Sequence, residues 1–251
     1  MNVIPVIDLL GGQVVHGIAG RRDSYQAISS ILTPSAEPHC INAAFKEHFG
    51  FNDLYVADLD AIAGQAANRK AVELLIDSST HVWLDAGTAT LSGVKSIARQ
   101  ISLDRVDRVI VGLECCPSPI HLQEVFEWLG PDRAVFSLDL SAGVPLIPGS
   151  APDEKSWNTT APLEIAGRAV EMGFNKMIVL DLAAVGMDRG VETLALCSQL
   201  AELSETLELT SGGGVCGVDD LHALSRAGCH HALVASALHD GRITPEMLGS
   251  L

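Results

Sequence analysis

Basic side chains are scarce in this chain. Lys and Arg number 16 against 31 Asp and Glu, and the formal net charge is −15. A nucleic-acid backbone is gripped through a basic surface, so this balance argues against a nucleic-acid partner. It leaves room for a small phosphorylated metabolite, because a few backbone N–H groups can hold one phosphate without net positive charge. Long hydrophobic runs are also missing. None approaches the roughly 18 apolar residues that cross a bilayer, so no membrane partner is expected. The first ten residues, MNVIPVIDLL, hold no basic stretch and include Asp8, which argues against a secretory leader. The cysteines at 40, 115, 116, 197, 216 and 229 form no C-x-x-C spacing, and His16, Cys229, His230 and His231 are not spaced as a metal set. No metal is expected, and reduced thiols in a cytoplasmic protein are the plain reading. Linkers and low-complexity segments are absent as well, so residues 1–251 are read as a single domain.

What is present is alternation. Short apolar blocks lie at Val3–Ile7, Asp53–Ala57, His81–Leu84, Arg108–Val111, Ala134–Leu138, Lys176–Leu180, Leu207–Thr210 and His231–Val234. Blocks of this kind suit strands buried on both faces. Amphipathic stretches separate them, including Asn68–Ser79, where Asn68 can cap a helix. Ser118–Leu129 runs into Gly130, Ala161–Met172 into Gly173, and Val218–Ala227 into Gly228. Glycine just past the last apolar position is a usual helix stop. Eight βα units in a chain of this length predict an α/β protein, specifically a (β/α)8 TIM barrel. An open doubly wound sheet is the alternative.

The chain also repeats itself. LYVADLDAIA at 54–63 lies over MIVLDLAAVG at 177–186, with Asp58 against Asp181. In the same order, Asp8 in PVIDLLGG matches Asp139 in VFSLDLSAG, VWLDAGT at 82–88 matches LELTSGGG at 207–214, and VIVGLE at 109–114 matches ALVASA at 232–237. Four strands of one half meet four of the other. This is an internal duplication of half-barrels, about 1–130 and 131–251.

In such a barrel, chemistry sits at the C-terminal ends of the strands. Asp8 and Asp139 end strands 1 and 5, on opposite sides of the mouth. A substrate lying across it would meet a carboxylate on each side, which suits proton removal at one and donation at the other. The alternative, that each Asp merely caps its turn, is weakened by their pairing in the repeat. Asp58 and Asp181 form a second pair, read as substrate-side residues that organise the site through hydrogen bonds. Strand 7 leads into Ser211-Gly212-Gly213-Gly214 and strand 8 into Ala235-Ser236. Glycine lets amides approach an anion, and the loops after strands 7 and 8 are the usual phosphate site of this barrel. Gly213, Gly214, Ala235 and Ser236 are the expected phosphate ligands, with Ser211 beside them.

The first-half counterparts, Asp85-Ala86-Gly87-Thr88 and Gly112-Leu113-Glu114, carry carboxylates that would repel a phosphate. One strong phosphate site is therefore expected. In the competing arrangement Asp85 turns into the barrel wall and the Gly87-Thr88 amides take a second anion. Arg21 and Arg22, in a glycine-flanked loop after strand 1, either meet a substrate anion on a closing loop or are solvated. Trp157, in the long segment Ser141–Thr160, either stacks on a substrate ring or anchors its loop.

With Ile4-Pro5-Val6-Ile7-Asp8-Leu9 at the start, Asp139 at strand 5 and Ser211-Gly212-Gly213-Gly214 near the end, the chain resembles the histidine-biosynthesis barrel family over nearly its whole length. That family is known for half-barrel duplication and contains an isomerase and a cyclase. The resemblance implies an Amadori-type isomerase without metal or organic cofactor. It makes Asp8 the general base, Asp139 the general acid, Trp157 the ring-stacking residue, and Gly213, Gly214, Ala235 and Ser236 the phosphate ligands. The chain departs from the isomerase pattern in three places. Val15-His16-Gly17 stands where Val-Arg-Leu is usual, Asp85-Ala86-Gly87 replaces a glycine-rich turn, and Ala183-Ala184-Val185-Gly186 follows Leu180-Asp181. The family's usual substrate carries a phosphate at each end, and here one end is well provided. The reading is a divergent isomerase of a phosphorylated aminosugar. The alternatives are a lyase or cyclase using the same site, with or without a partner subunit, and a non-catalytic binder of a phosphorylated metabolite.

Overall fold

The computed structural model describes residues 1–78, 80–149 and 156–249. Eight parallel strands form its centre: β1 (Asn2–Leu10), β2 (Asp53–Asp58), β3 (His81–Asp85), β4 (Arg108–Gly112), β5 (Ala134–Ser141), β6 (Lys176–Asp181), β7 (Glu208–Gly212) and β8 (His231–Val234). Each pairs with the next, and β8 returns to β1 through the register Asn2↔His231 to Pro5↔Val234. That last pairing closes the barrel and excludes the open sheet. Helices Pro38–Phe49, Arg69–Asp77, Leu91–Gln100, Pro119–Leu129, Pro162–Glu171, Leu194–Ala201 and Val218–Arg226 follow β1 to β7 in turn. Gly130, Gly173 and Gly228 stand just beyond three of these helices with positive φ, as the glycine stops require. Among the described residues no helix is long and apolar enough to cross a membrane.

β1 reaches Leu10 rather than Ile7, and β5 reaches Ser141 rather than Leu138. Both extensions have one cause. Gly11 and Gly12 have φ of 57° and 83°, and Ala142 and Gly143 have φ of 50° and 78°. Two consecutive positive φ angles make a tight hairpin turn whose twist matches the strands it joins. Gln13–His16 therefore folds back on β1 (Leu10↔Gln13) and Val144–Pro145 on β5 (Ser141↔Val144), at equivalent positions of the repeat. Asp8 and Asp139 consequently lie within their strands, with the hairpins rising beyond them, and not at the strand ends.

Side chains alternate across each strand. Ile7, Leu54, Val82, Val109, Phe136, Met177, Leu209 and Ala232 face the helices, in a continuous buried layer. Ile4, Tyr55, Trp83, Ile110, Val135, Ile178 and Leu233 face inward and fill the barrel. Further up the same inward faces stand Asp8 on β1 beyond Val6, Asp85 on β3 and Asp139 on β5 beyond Ser137. Asp58 and Asp181 have the opposite parity and face the helix layer. Asn68 does not cap the helix Arg69–Asp77 with its side chain. Its amide nitrogen donates instead to Asp58 Oδ1 (2.8 Å) and Asp60 Oδ2 (2.7 Å), which ties the loop after β2.

The opposite end of the barrel is plugged by charge. Glu208 accepts from Arg108 Nη1 at 2.6 Å and lies 2.7 Å from His231 Nε2. The Arg108 guanidinium sits 4.0 Å from the centroid of Trp83, whose edge meets His231. His231 and Arg108 together pull the Glu208 carboxyl down from 4.5 to about 2, against its burial. The lowered value means that Glu208 stabilises the fold above pH 4.5 and that this contribution disappears as pH falls through about 2. Solvent still reaches the cluster, so the full linkage energy is discounted. Glu208→Gln is expected to lose on the order of 1–2 kcal/mol at neutral pH. Urea melts should show that deficit closing as pH drops below about 4.

Candidate active site

Three inward carboxyls gather at the mouth. Asp139 is 4% exposed, accepts from Ser137 Oγ at 2.6 Å and from the Glu114 amide at 3.1 Å. Asp85 is 9% exposed and accepts from the Tyr55 hydroxyl at 3.1 Å. Asp8 lies across the mouth, partly open to the cleft. Two glycines make room for this crowding. A Cβ on Gly17 would stand 2.8 Å from Asp8 Oδ2, and one on Gly112 would stand 3.0 Å from Asp139 Oδ2. The residues around the mouth enclose about 1140 Å³ of empty space, counting its open side. This is ample for a phosphorylated metabolite.

Burial raises all three carboxyls, by different amounts. Asp8 is raised to about 6, with Arg22 opposing the effect of burial. Asp85 is raised to about 7 by burial and by Glu114. Asp139 is raised well above the ordinary range by burial and then by Glu114 and Asp85. Asp139 thus holds its proton more tightly than an ordinary carboxyl, while Arg22 limits the rise at Asp8. Tyr55 is also pushed upward by burial and by Asp85, so it remains a donor. Arg22 reaches over the mouth to Glu114, with Nη2 2.8 Å from Oε1, and pins the loop after β1 across the cleft.

The other side of the mouth is lined by Gly213, Gly214, Ala235 and Ser236. Gly213 and Gly214 have φ of 83° and 89°. Their amides donate to no other group among the described residues. His16, carried in by the first hairpin, places Nε2 3.1 Å from Ser236 Oγ. His239 also lines this side; burial and then His16 lower it to about 4, which keeps it neutral. Among the described residues no group of side chains is placed to hold a metal.

Thus Asp8, Asp139, Arg22, Gly213, Gly214, Ala235 and Ser236 meet in one cleft. Five other expected site residues do not line it. Asp58 accepts from the amides of Ala61 and Asn68, and Asp181 from those of Ala142, Gly143 and Ala183. Both face outward by strand parity and brace loops, so they are not in contact range of a substrate. Ser211 shares the outward face of β7, is fully buried, and bonds Thr193 and the Val179 carbonyl. Arg21 lines a shallow groove on the outer side of its loop. Trp157 is 1% exposed among the helices, with Nε1 donating to the Cys116 carbonyl at 3.0 Å. It takes the anchoring role, while residues 150–155 of its loop lie outside the described residues. His16, Tyr55 and His239 were not expected in the site. The signal for Tyr55 was its inward parity, and for His16 the Gly11-Gly12 turn that folds Gln13–His16 back along β1 toward the mouth.

Comparison with known proteins agrees with the barrel fold. The profile of the histidine biosynthesis protein family matches residues 2–244. An uncharacterized protein of Methanocaldococcus jannaschii is 30% identical over 96% of this chain and 94% of its own length. Enzymes named 1-(5-phosphoribosyl)-5-((5-phosphoribosylamino)methylideneamino) imidazole-4-carboxamide isomerase are similar over comparable spans. The one from Syntrophomonas wolfei is 29% identical over 97% of this chain and 95% of its own. The one from Rhodopseudomonas palustris is 32% identical over 98% and 95%.

The carboxyl cluster carries a stability cost with a definite pH dependence. Between pH of about 4 and 7 Asp85 is protonated in the fold and ionised in the unfolded chain. The folded state then binds the extra proton, so this contribution destabilises the protein as pH rises through that window. Asp85→Asn keeps an acceptor for Tyr55 and removes the ionisation. It is expected to match wild type near pH 4 and to be more stable by on the order of 3 kcal/mol above pH 7. Thermal melts across that range check this. An advantage that shrinks with rising pH would contradict it.

Proposed function

Because the chain belongs to the histidine biosynthesis protein family, whose matched relatives include named isomerases, we propose that it isomerises a phosphorylated aminosugar in this cleft. The observation that carries the reading is the separation of Asp8 from Asp139. Asp8 is raised only to about 6, with Arg22 opposing burial, while burial and two neighbouring carboxyls push Asp139 well above the ordinary range, and they sit on strands on opposite sides of one mouth. Two titratable groups driven apart by their surroundings form an acid–base pair. Asp139 protonates the sugar ring oxygen as the ring opens to an iminium. Asp8 removes the proton from C2, giving an enaminol. Tautomerisation to the aminoketose follows. C1 takes a proton from the Asp8 carboxyl, and the 2-hydroxyl returns one to Asp139. The pair ends as it began, and nothing is oxidised or reduced overall beyond the substrate's own carbons.

The phosphate is held on the opposite side by the free amides of Gly213 and Gly214, with Ser236 and His16 beside them. Arg22 closes the loop over the reacting carbons and excludes water.

Ribosylamine 5-phosphates, formed from ribose 5-phosphate and a panel of amines, test the reading in deuterated water. Wild type is expected to wash deuterium into C2 of the recovered substrate and into C1 of the aminoketose, with a rate that rises with pH through about 6 as Asp8 ionises. The rate falls again at higher pH, where Asp139 loses its proton. Asp8→Asn and Asp139→Asn are each expected to lose about 10²–10⁴ of that rate while melting no lower than wild type. Exchange that persists at the wild-type rate in both variants sinks the acid–base assignment.

A further inference from the structure

The two ends of the cleft were duplicated from one another, and the first-half end no longer has the parts of a phosphate site. The repeat places Thr88 where Gly213 stands and Leu113 where Ser236 stands. Both replacements are fully buried. Thr88 Oγ1 is committed to the Ile110 carbonyl at 2.6 Å, and Leu113 is part of the apolar layer. Gly87 is pressed against the turn after β2, where an added Cβ would meet the Ala61 carbonyl and Ile62 Cα, each at 3.1 Å. In front of this turn stand the Asp85, Glu114 and Asp139 side chains, and Arg22 is already paired to Glu114.

Resting on the reading above, we propose that this end of the cleft takes a cationic nitrogen in place of a second phosphate. The substrate class is an aminosugar monophosphate whose far end carries an amine or amidine, facing Asp85 and Glu114. A second phosphate would meet two carboxyl groups, and like-charge contacts of that kind cost several kcal/mol. An ammonium or amidinium would complete the two carboxylates and displace Arg22 from Glu114. It would also draw the proton off Asp85, whose carboxyl is faced by Glu114, Tyr55, Asp139, Cys115 and Arg22. Binding should therefore release a proton at neutral pH, which a neutral ligand of the same shape would not do. The isomerases among the relatives are named for a substrate with two phosphoribosyl groups, so the first-half end is where this chain parts from them.

Three ligand series of matched and increasing chain length test this by calorimetry at pH 6.5, below the Asp85 value of about 7: ω-aminoalkyl phosphates, simple alkyl phosphates and α,ω-alkane bisphosphates. Inorganic phosphate is the shared reference. The amino series is expected to bind about tenfold or more tighter than the bisphosphates at the best length. Its heat should vary with buffer ionisation enthalpy, reporting the released proton. In Asp85→Asn and Glu114→Gln, each checked to melt no lower than wild type, the amine-to-bisphosphate ratio should collapse. In Glu114→Gln, where Arg22 is set free, it should invert. Bisphosphates that bind as tightly as the amines, or a preference unaltered in both variants, would overturn the inference and leave the isomerase reading standing. Failure of inorganic phosphate to bind, with no perturbation of the Gly213 and Gly214 amide resonances, would instead remove the phosphate anchor and overturn both.

Discussion

Everything at this site follows from strand parity in a closed barrel. Side chains alternate in and out, and closure leaves no edge where the alternation can relax. An Asp on the inward face above the layer of Ile4, Tyr55, Trp83 and Val135 enters a narrow, poorly solvated mouth. It becomes a perturbed acid, as Asp8, Asp85 and Asp139 do. An Asp one residue out of phase, such as Asp58 or Asp181, enters the helix layer and is saturated by loop amides. The same side chain is thus a perturbed acid or a brace, depending on which face of its strand it occupies.

The barrel keeps its two kinds of buried charge at opposite ends. At the bottom, Glu208 is matched by Arg108 and His231 with Trp83 stacked beside them, and its ionisation stabilises the fold. At the mouth, Asp85 and Asp139 have hydroxyl and amide donors but no cation of their own. Their ionisation opposes folding. Destabilised groups held by a stable scaffold are the usual arrangement of a reactive site, where function is maintained against stability. The hairpins after β1 and β5 serve the same end, since they carry the wall of the mouth above the carboxyls and keep water from solvating them freely.

The barrel itself was legible in the chain. Apolar blocks of strand length, glycine stops and a twofold repeat are local signals, and each survives into the structure. Asp8 and Asp139 were legible because they recur at equivalent points. Asp58, Asp181 and Ser211 were misplaced because proximity to a strand end was read without its parity, although Asp58 follows outward Val56 and Ser211 follows outward Leu209. Trp157 was beyond reach of sequence for a different reason. Whether an indole in a long loop turns toward the mouth or toward the helices depends on a partner 41 positions away, the Cys116 carbonyl, and no local pattern encodes that. His16 depended on the Gly11-Gly12 turn, whose two positive φ angles convert a short apolar tail into a returning strand.

Duplication makes divergence readable at single positions. The two half-barrels still share their hairpins, their bracing Asp pair and their inward carboxyls, so these belong to the common frame. Where they differ, the difference is chemical. Gly213 and Ser236 offer an amide and a hydroxyl to the cleft, while their counterparts Thr88 and Leu113 are folded into the wall. Thr210, buried in the second half, corresponds to Asp85, which faces the cleft in the first. A twofold frame that once presented the same face at both ends now presents hydrogen-bond donors at one and carboxyls at the other. A cleft with that polarity orients its ligand by charge alone, before any close contact forms.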